Sequence, residues 1–245
     1  MTIGTGSAGR ENYENLGINR QPLAVYENFI FSESGSIFPE PFASDNEVFG
    51  FLSASESWTL CSKGEPIYSR GFVQCGGALI RNRQTRLVTL IHESLWSASA
   101  DVALALQGND DLDVITIDGP FGGINFKEVK DAHQRDPNEL IRLIENVDIE
   151  ASRKYKGGSV DKEGNVHLFG YRSALLGLSE SEVQRAVQRI KAGGNITGLT
   201  REVAKIKIPV SKSEGDRWYL LYRPKENIIW IYESGAKKLF KYKGF

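Results

Sequence analysis

The chain has 245 residues, of which 40% are hydrophobic and 25% charged, and this is enough apolar material for one sizeable globular core. Its 30 basic and 31 acidic residues leave a formal net charge of −1, so no long-range field favours binding to nucleic acid or to an anionic membrane. No apolar run reaches membrane-spanning length. Only two cysteines occur, which predicts free thiols in a reducing compartment and not a disulfide-framed secreted scaffold.

The first 21 residues carry no hydrophobic period and predict a disordered leader without a cleavable signal peptide. Gly4, Gly6 and Gly9 have the spacing of a dinucleotide-binding motif. That motif requires a strand before it and a helix after it, and position 4 leaves no room for the strand. We therefore expect flexible glycine here and no bound cofactor.

From Pro22 onward the chain becomes apolar, and its pattern predicts both strands and helices. The predicted strands are 23–31, 47–53, 72–80, 86–91, 112–117, 166–171, 202–210, 218–222 and 228–232. Helices are predicted near 98–107 and after the N-cap signals of Asp136 and Ser179. The predicted fold is α+β, with a mixed, mostly antiparallel β-sheet core flanked by helices. We expect one domain over residues 22–245, with a candidate C-terminal lobe from about residue 150.

The apolar runs 72–80 and 86–91 predict a β-hairpin, because the residues between them are polar. A turn centred between Arg83 and Gln84 would place Cys75 directly opposite His92, with Cβ atoms about 4.5–5.5 Å apart. At that separation an imidazole nitrogen reaches the sulfur and takes its proton, which activates the thiol as a nucleophile. The pairing depends on this register, since one residue of slip moves the side chains to opposite faces.

Gly76 and Gly77 follow the thiol directly. Glycine permits close approach to the backbone, so the N–H groups of Cys75, Gly76 and Gly77 are candidates for an oxyanion-binding site. A bulge or a tight packing position explains the two glycines equally well.

The other cysteine and the other histidines lack such neighbours. Cys61 is assigned to core packing, and His133 and His167 are interpreted as structural residues. Their spacing matches no zinc-binding pattern, so we expect no metal site.

The segment from Ser69 through Cys75 to Gly77, with His92 seventeen residues after the cysteine, resembles the chemoreceptor glutamine deamidases (CheD). It is similar, more loosely, to the catalytic domain of the cytotoxic necrotizing factor toxins. The resemblance continues through a helix and a strand to Phe121-Gly122-Gly123. It covers under a quarter of the chain. In the deamidases a threonine six residues before the cysteine completes the site, and Ser69 carries the same hydroxyl at this offset.

This resemblance implies a cysteine-dependent protein glutamine deamidase. Cys75 would be the nucleophile, His92 the general base, and Ser69 the residue that orients His92. The resemblance implies a protein substrate that carries a reactive glutamine. From the charge balance and the residue spacing we expect no nucleic-acid or membrane partner, no cofactor and no metal. The chain departs from the family at residues 72–74 and at Glu93.

An extended strand would separate Ser69 from Cys75 by about 20 Å. We therefore expect the chain to bend between them, at Gly71. Asp118, at the end of a predicted strand, is a second candidate for orienting His92.

Other functions stay open. The same Cys–His pair would serve a transglutaminase or a cysteine protease. A non-enzymatic protein-binding module of the same fold is a further alternative, with a docking face built from aromatic residues that core packing also explains: Trp218, Tyr219, Tyr222, Trp230 and Tyr232. The sequence suits a cytoplasmic protein, or a bacterial toxin or effector that enters a host cell without a cleavable signal peptide.

Overall fold

A computed structural model describes residues 13–15, 18–29, 48–53, 59–72, 75–93, 99–108, 111–119, 136–145, 158–160, 166–168, 178–193, 200–208 and 217–245. Within these ranges the chain forms fourteen strands and three helices. The α+β class predicted from the sequence is confirmed.

The strands are β1 Tyr13–Asn15, β2 Ala24–Tyr26, β3 Val48–Ser53, β4 Thr59–Ser62, β5 Ile67–Phe72, β6 Gly76–Asn82, β7 Val88–Glu93, β8 Leu112–Asp118, β9 Gly158–Val160, β10 Val166–Leu168, β11 Thr200–Lys207, β12 Trp218–Arg223, β13 Ile228–Glu233 and β14 Lys238–Lys243. The helices are α1 Ser99–Gln107, α2 Pro137–Glu145 and α3 Glu180–Lys191.

The strands form two sheets. One has six strands in the order β1-β11-β8-β6-β7-β4, and the other has eight in the order β10-β9-β3-β5-β12-β13-β14-β2. β11 pairs in parallel with β1 and β8, and β3 pairs in parallel with β5. The other pairs of described strands are antiparallel. The mixed, mostly antiparallel character predicted for the sheet core is therefore confirmed.

The two sheets face each other across a shared apolar layer, which we call the inter-sheet core. β6, β7 and β8 supply Leu79, Leu90 and Ile115 from the six-stranded sheet, and β12 and β13 supply Leu220 and Ile231 from the eight-stranded sheet. Within one strand the core residues are two positions apart, as Ile115 and Ile117 of β8 are, because successive residues of a strand point to opposite faces.

Helices cover the outer face of the six-stranded sheet. Ala78, Ile80 and Ile91 on that face pack with Ala103 and Leu104 of α1. α1 in turn packs with α2 and α3 in a second apolar cluster. Strands β6 and β7 are thus buried on both faces, which explains why their sequences are apolar at nearly every position. Within the described ranges, no helix has the length and apolar character needed to span a membrane.

The aromatic residues of the hairpin formed by β12 and β13 are all buried. Trp218 and Tyr222 belong to the inter-sheet core, whereas Tyr219, Trp230 and Tyr232 cluster on the opposite face of the eight-stranded sheet. This alternation confirms that the rings are packing residues. None of the five is exposed as a docking face.

Two predicted helix starts are present as the capping signals indicated. Asp136 accepts a hydrogen bond from the N–H of Asn138, and Ser179 forms a capping box with Glu182. The predicted strand 72–80 is wrong in one respect, because β5 ends at residue 72, β6 begins at residue 76, and the two strands belong to different sheets. Strands β1, β4, β5, β9 and β14 were not predicted, apart from residue 72 at the end of β5.

The leader predicted over residues 1–21 contains ordered backbone. β1 pairs in parallel with β11, and backbone hydrogen bonds join Ile18 and Arg20 to Lys205. Residues 13–15 and 18–20 thus have backbone pairing with β11, and the motif formed by Gly4, Gly6 and Gly9 lies outside the described residues. Residues after 150 contribute strands to both sheets, since β11 lies between β1 and β8 and β12 lies between β5 and β13.

Candidate active site

β5 carries a β-bulge close to its end. Trp218 of β12 pairs with Phe72, whereas the next residue, Tyr219, pairs with Arg70, so Gly71 is the extra residue. Gly71 has a φ of 79°, in the left-handed region that glycine adopts without strain. The bend predicted at Gly71 is therefore present.

The bulge changes which side chains of β5 face the inter-sheet core. Ile67 before the bulge and Phe72 after it both belong to this core, although strict alternation would put them on opposite faces. Ser69 lies on the same face as Ile67, two residues further along the strand. As a result Ser69 and Phe72 approach the same region of the core.

Ser69 of β5 and His92 of β7 are joined by a hydrogen bond. Ser69 Oγ lies 2.8 Å from His92 Nδ1, and both side chains are fully buried. Because β5 and β7 belong to different sheets, this bond crosses the inter-sheet core. The contact between Ser69 and His92 that the resemblance implied is therefore present, and it holds the imidazole in one orientation.

Phe72 and Gly77 enclose the same imidazole. The Phe72 ring is stacked on His92, with ring centroids 3.5 Å apart and planes within 2° of each other. Gly77 pairs with His92, and a Cβ on Gly77 would lie 2.8 Å from the backbone oxygen of Ile91 and 3.0 Å from the Phe72 ring. Any side chain at Gly77 would collide with these atoms, which favours the tight-packing explanation for this glycine.

Burial lowers the pKa of His92 to about 3, because the interior disfavours the charged imidazolium. The ring is therefore neutral at neutral pH. Its Nε2 atom is buried and has no hydrogen-bond partner among the described residues. With Nδ1 held by Ser69, Nε2 is the nitrogen that can exchange a proton with another group.

This shifted pKa is expected to make folding pH-dependent. An unfolded histidine has a pKa of about 6.5, so on acidification the unfolded chain binds a proton first, and stability present above that pH is lost as the pH falls toward about 3. Between pH 7 and 4.5 the loss amounts to about 2–3 kcal/mol. The glutamine side chain in His92→Gln does not titrate. Urea unfolding should therefore show that, between pH 7 and 4.5, this variant loses about 2–3 kcal/mol less stability than the wild type does. Equal pH dependence in both proteins would contradict a buried neutral imidazole.

The register predicted for the hairpin of β6 and β7 is wrong by two residues. His92 pairs with Gly77 and not with Cys75, and Gly76 pairs with Glu93. A shift of two residues preserves the face of the sheet. Extending this register places Cys75 diagonally across from His92, where such neighbours are about 7–8 Å apart.

The turn accounts for this difference. The Asn82 side chain accepts hydrogen bonds from the N–H groups of Gln84 and Thr85, and the N–H of Arg86 donates to the Asn82 carbonyl. Arg86 has a φ of 61°. The turn is therefore centred between Gln84 and Thr85, one residue later than predicted, and turn geometry sets the register of the hairpin.

Cys75 lies in the connection between β5 and β6, immediately before β6. Its side chain is partly buried and packs against the inter-sheet core. In the described part of the chain no hydrogen bond joins it to His92, whose Nε2 is unpartnered. The structure thus brings Ser69 and His92 into contact, and it places Cys75 against the same core without a direct bond to the imidazole.

The candidate oxyanion site loses one of its three predicted donors. Gly77 is paired with His92 on one side and with Ile117 on the other. A residue paired on both sides of an antiparallel sheet uses its N–H in one of the two ladders. The N–H of Gly77 is therefore committed to the sheet, and Cys75 and Gly76, at the start of β6, are the remaining backbone candidates.

Cys61 has a different environment from Cys75. It is fully buried on β4, its Sγ lies 3.3 Å from Thr89 Oγ1, and burial raises the pKa of its thiol to about 12. Its assignment to core packing is confirmed.

Asp118 does not orient His92, since Ser69 binds Nδ1 and the Asp118 carboxylate lies 3.7 Å from Lys205 Nζ.

His133 and the Phe121-Gly122-Gly123 element lie outside the described residues. His167 lies on β10, and its side chain is likewise outside the described part. Across the ranges that the structure describes, no group of three or more His, Cys, Asp or Glu side chains could hold a metal ion.

Comparison of the chain with models of known protein families finds no match, and neither does a search of curated protein sequences. The resemblance to the chemoreceptor glutamine deamidases therefore depends on the short segment described above. The geometry of Ser69, Cys75 and His92 is the remaining basis for a functional proposal.

Two residues at the site were not predicted as part of it. Phe72 stacks on His92, and Trp218 is the partner of Phe72 on β12. Gly71 was a signal for the first of these, because a glycine within a strand often marks a bulge, and a bulge turns the following side chain to the other face. Nothing local in the sequence indicates the pairing of Trp218 with Phe72.

Proposed function

We propose that this chain is a cysteine-dependent amidohydrolase that converts a glutamine carboxamide of a protein substrate to a carboxylate. One observation carries the proposal: the buried hydrogen bond between Ser69 and His92 occupies Nδ1 and leaves Nε2 without a partner among the described residues, beside the core that Cys75 contacts. An orienting hydroxyl, an imidazole and a thiol are the three groups that a cysteine hydrolase requires.

In the proposed reaction the Cys75 sulfur attacks the carboxamide carbon. A C–S bond forms, the electron pair of the C=O bond moves onto oxygen, and the thiol proton passes to His92 Nε2. When the tetrahedral intermediate collapses, the C–N bond breaks and the imidazolium returns the proton to the departing nitrogen, which leaves as ammonia. Water, deprotonated by His92, then attacks the thioester, and its C–S bond breaks to release a carboxylate and the free thiol.

Ser69 determines which nitrogen of His92 does this work. In the proposed mechanism Nδ1–H donates to Ser69 Oγ, so Nε2 carries the lone pair that accepts the thiol proton. Burial keeps the ring neutral in the resting enzyme, and the neutral ring is the form with a lone pair that accepts a proton, although the lowered pKa also makes it a weaker base. Proton transfer is then coupled to formation of the C–S bond, since an isolated imidazolium is unfavourable in this interior.

Glutamine in a protein substrate, and action in a cytosol, follow from the resemblance to the chemoreceptor deamidases and from the free thiols. The same pair of residues would also support transfer of the acyl group from the Cys75 thioester to an amine, or cleavage of a peptide bond, in which the backbone amine departs and water takes the acyl group. The products distinguish these reactions.

The test is to incubate the protein with glutamine-containing protein extracts and with purified candidates. We expect ammonia release, together with the mass gain of the substrate that results when a side-chain NH₂ is replaced by OH. New amine adducts in the presence of methylamine would indicate transglutamination, and new chain termini would indicate proteolysis. Absence of all three products with every candidate would count against thiol-dependent acyl transfer.

A further inference from the structure

Trp218 carries a buried hydrogen-bond donor that the fold does not use. The residue is 1% exposed, and its indole Nε1 has no hydrogen-bond partner among the described residues. A buried tryptophan N–H normally has a partner, because an unsatisfied one costs about 1–3 kcal/mol. A ligand that supplies an acceptor would remove this cost.

The position of Trp218 connects it to the candidate site. Trp218 pairs directly with Phe72 across β5 and β12, and both side chains belong to the inter-sheet core. Phe72 in turn is stacked on His92. Cys75, three residues after Phe72, packs against the same core. Trp218 is therefore next to Phe72 across the two strands, and His92 is stacked on the Phe72 ring, at the end of the core where β5 gives way to β6.

His92 provides a second, independent unpartnered atom at this place. In the part of the chain that the structure describes, its Nε2 is buried without a partner, as the Trp218 Nε1 is, and the two residues come from different sheets. One atom is a donor, and the other is an acceptor when Nδ1 carries the proton. A primary carboxamide offers the complementary pair, with a carbonyl oxygen that accepts and an NH₂ group that donates.

We propose that the indole N–H of Trp218 binds the carbonyl oxygen of the substrate carboxamide and stabilises the oxyanion that develops on it. This inference rests on the proposed function and identifies a catalytic residue for it. The commitment of the Gly77 N–H to the sheet leaves this oxyanion short of one predicted donor, and Trp218 fills that role.

The test uses Trp218→Phe, which keeps an aromatic ring in the core and removes the N–H donor together with part of the indole volume. Trp230→Phe is the matched control, because Trp230 is also buried but lies on the opposite face of the eight-stranded sheet. We expect Trp218→Phe to lower kcat for ammonia release by about 10²–10³-fold, the effect of losing one oxyanion donor. Trp230→Phe should retain the wild-type kcat once the folded fraction is matched.

A binding measurement separates this inference from the proposed chemistry. In the Cys75→Ala protein, the indole ¹H–¹⁵N signal of Trp218, assigned by its loss in Trp218→Phe, is followed during titration with acetyl-Gly-Gln-Gly-N-methylamide, whose only primary carboxamide is the glutamine side chain. We expect a saturable downfield shift that acetyl-Gly-Met-Gly-N-methylamide does not cause. A shift without any ammonia release by the wild type would keep the carboxamide site and reject the amidohydrolase. No shift, or an unchanged kcat in Trp218→Phe, would overturn the role of Trp218.

Discussion

Replacing Cys75 with serine is expected to lower ammonia release by about 10³-fold or more, because a serine hydroxyl is a far weaker nucleophile than a thiol beside a neutral imidazole. Folding should be nearly unaffected. Cys75 is only partly buried, and exchanging sulfur for oxygen at such a position changes the free energy of unfolding by less than about 1 kcal/mol. The measurement is kcat on the substrate found by mass gain, with the folded fraction set equal by urea unfolding.

Cys61→Ser is the matched control for this experiment. Cys61 is the other free thiol, and it lies beside the helices on β4, fully buried and in contact with Thr89. Its replacement is expected to lower stability and to leave the activity per folded molecule unchanged. Full activity in Cys75→Ser, or an equal loss in both variants, would exclude Cys75 as the nucleophile.

Local patterns in the sequence predicted the strands and helices of this fold better than they predicted which strands pair with each other. The alternating and continuous apolar runs identified β6, β7 and β8, and the capping residues Asp136 and Ser179 identified two helix starts. The apolar run 72–80, however, crosses from one sheet to the other. Hydrophobic periodicity reports burial, and residues on both sides of the inter-sheet core are buried alike.

The register error has a specific physical cause. A polar loop of five residues between two apolar runs is compatible with more than one turn centre. The side-chain hydrogen bonds of Asn82 select the later one, and Asn82 is itself held in place by its bond to the Gln107 carbonyl of α1. A tertiary contact therefore decides the register, and no local pattern contains it.

Only part of the candidate site was predicted, because some of its contacts depend on tertiary structure that local sequence patterns do not contain. The bend at Gly71 followed from chain geometry, and the contact between Ser69 and His92 followed from the resemblance. The stacking of Phe72 depends on which sheet β5 joins. The prediction that Cys75 lies directly opposite His92 depended on the hairpin register, and it is wrong because that register is wrong by two residues.

Ser69→Ala is expected to lower kcat by about 10- to 100-fold, because an imidazole that loses its fixed orientation presents Nε2 to the thiol less often. It should also lower the free energy of unfolding by about 1–3 kcal/mol, since Nδ1 of His92 would be left buried without a partner. Ser69→Thr is the control that keeps the hydroxyl. We expect it to retain most of the activity per folded molecule, although its added methyl group has to be accommodated in a fully buried position.

A structural role for Ser69 would predict the same loss of stability, so the decisive measurement is a double-mutant cycle with His92→Gln. Removing the general base should lower kcat by about 10²–10⁴-fold. If Ser69 acts only by positioning His92, then Ser69→Ala has no further effect on kcat once His92 is glutamine, because residues that act as a unit are non-additive. Independent, multiplying losses in the double variant would mean that Ser69 supports the core and that its bond to His92 is incidental to the chemistry.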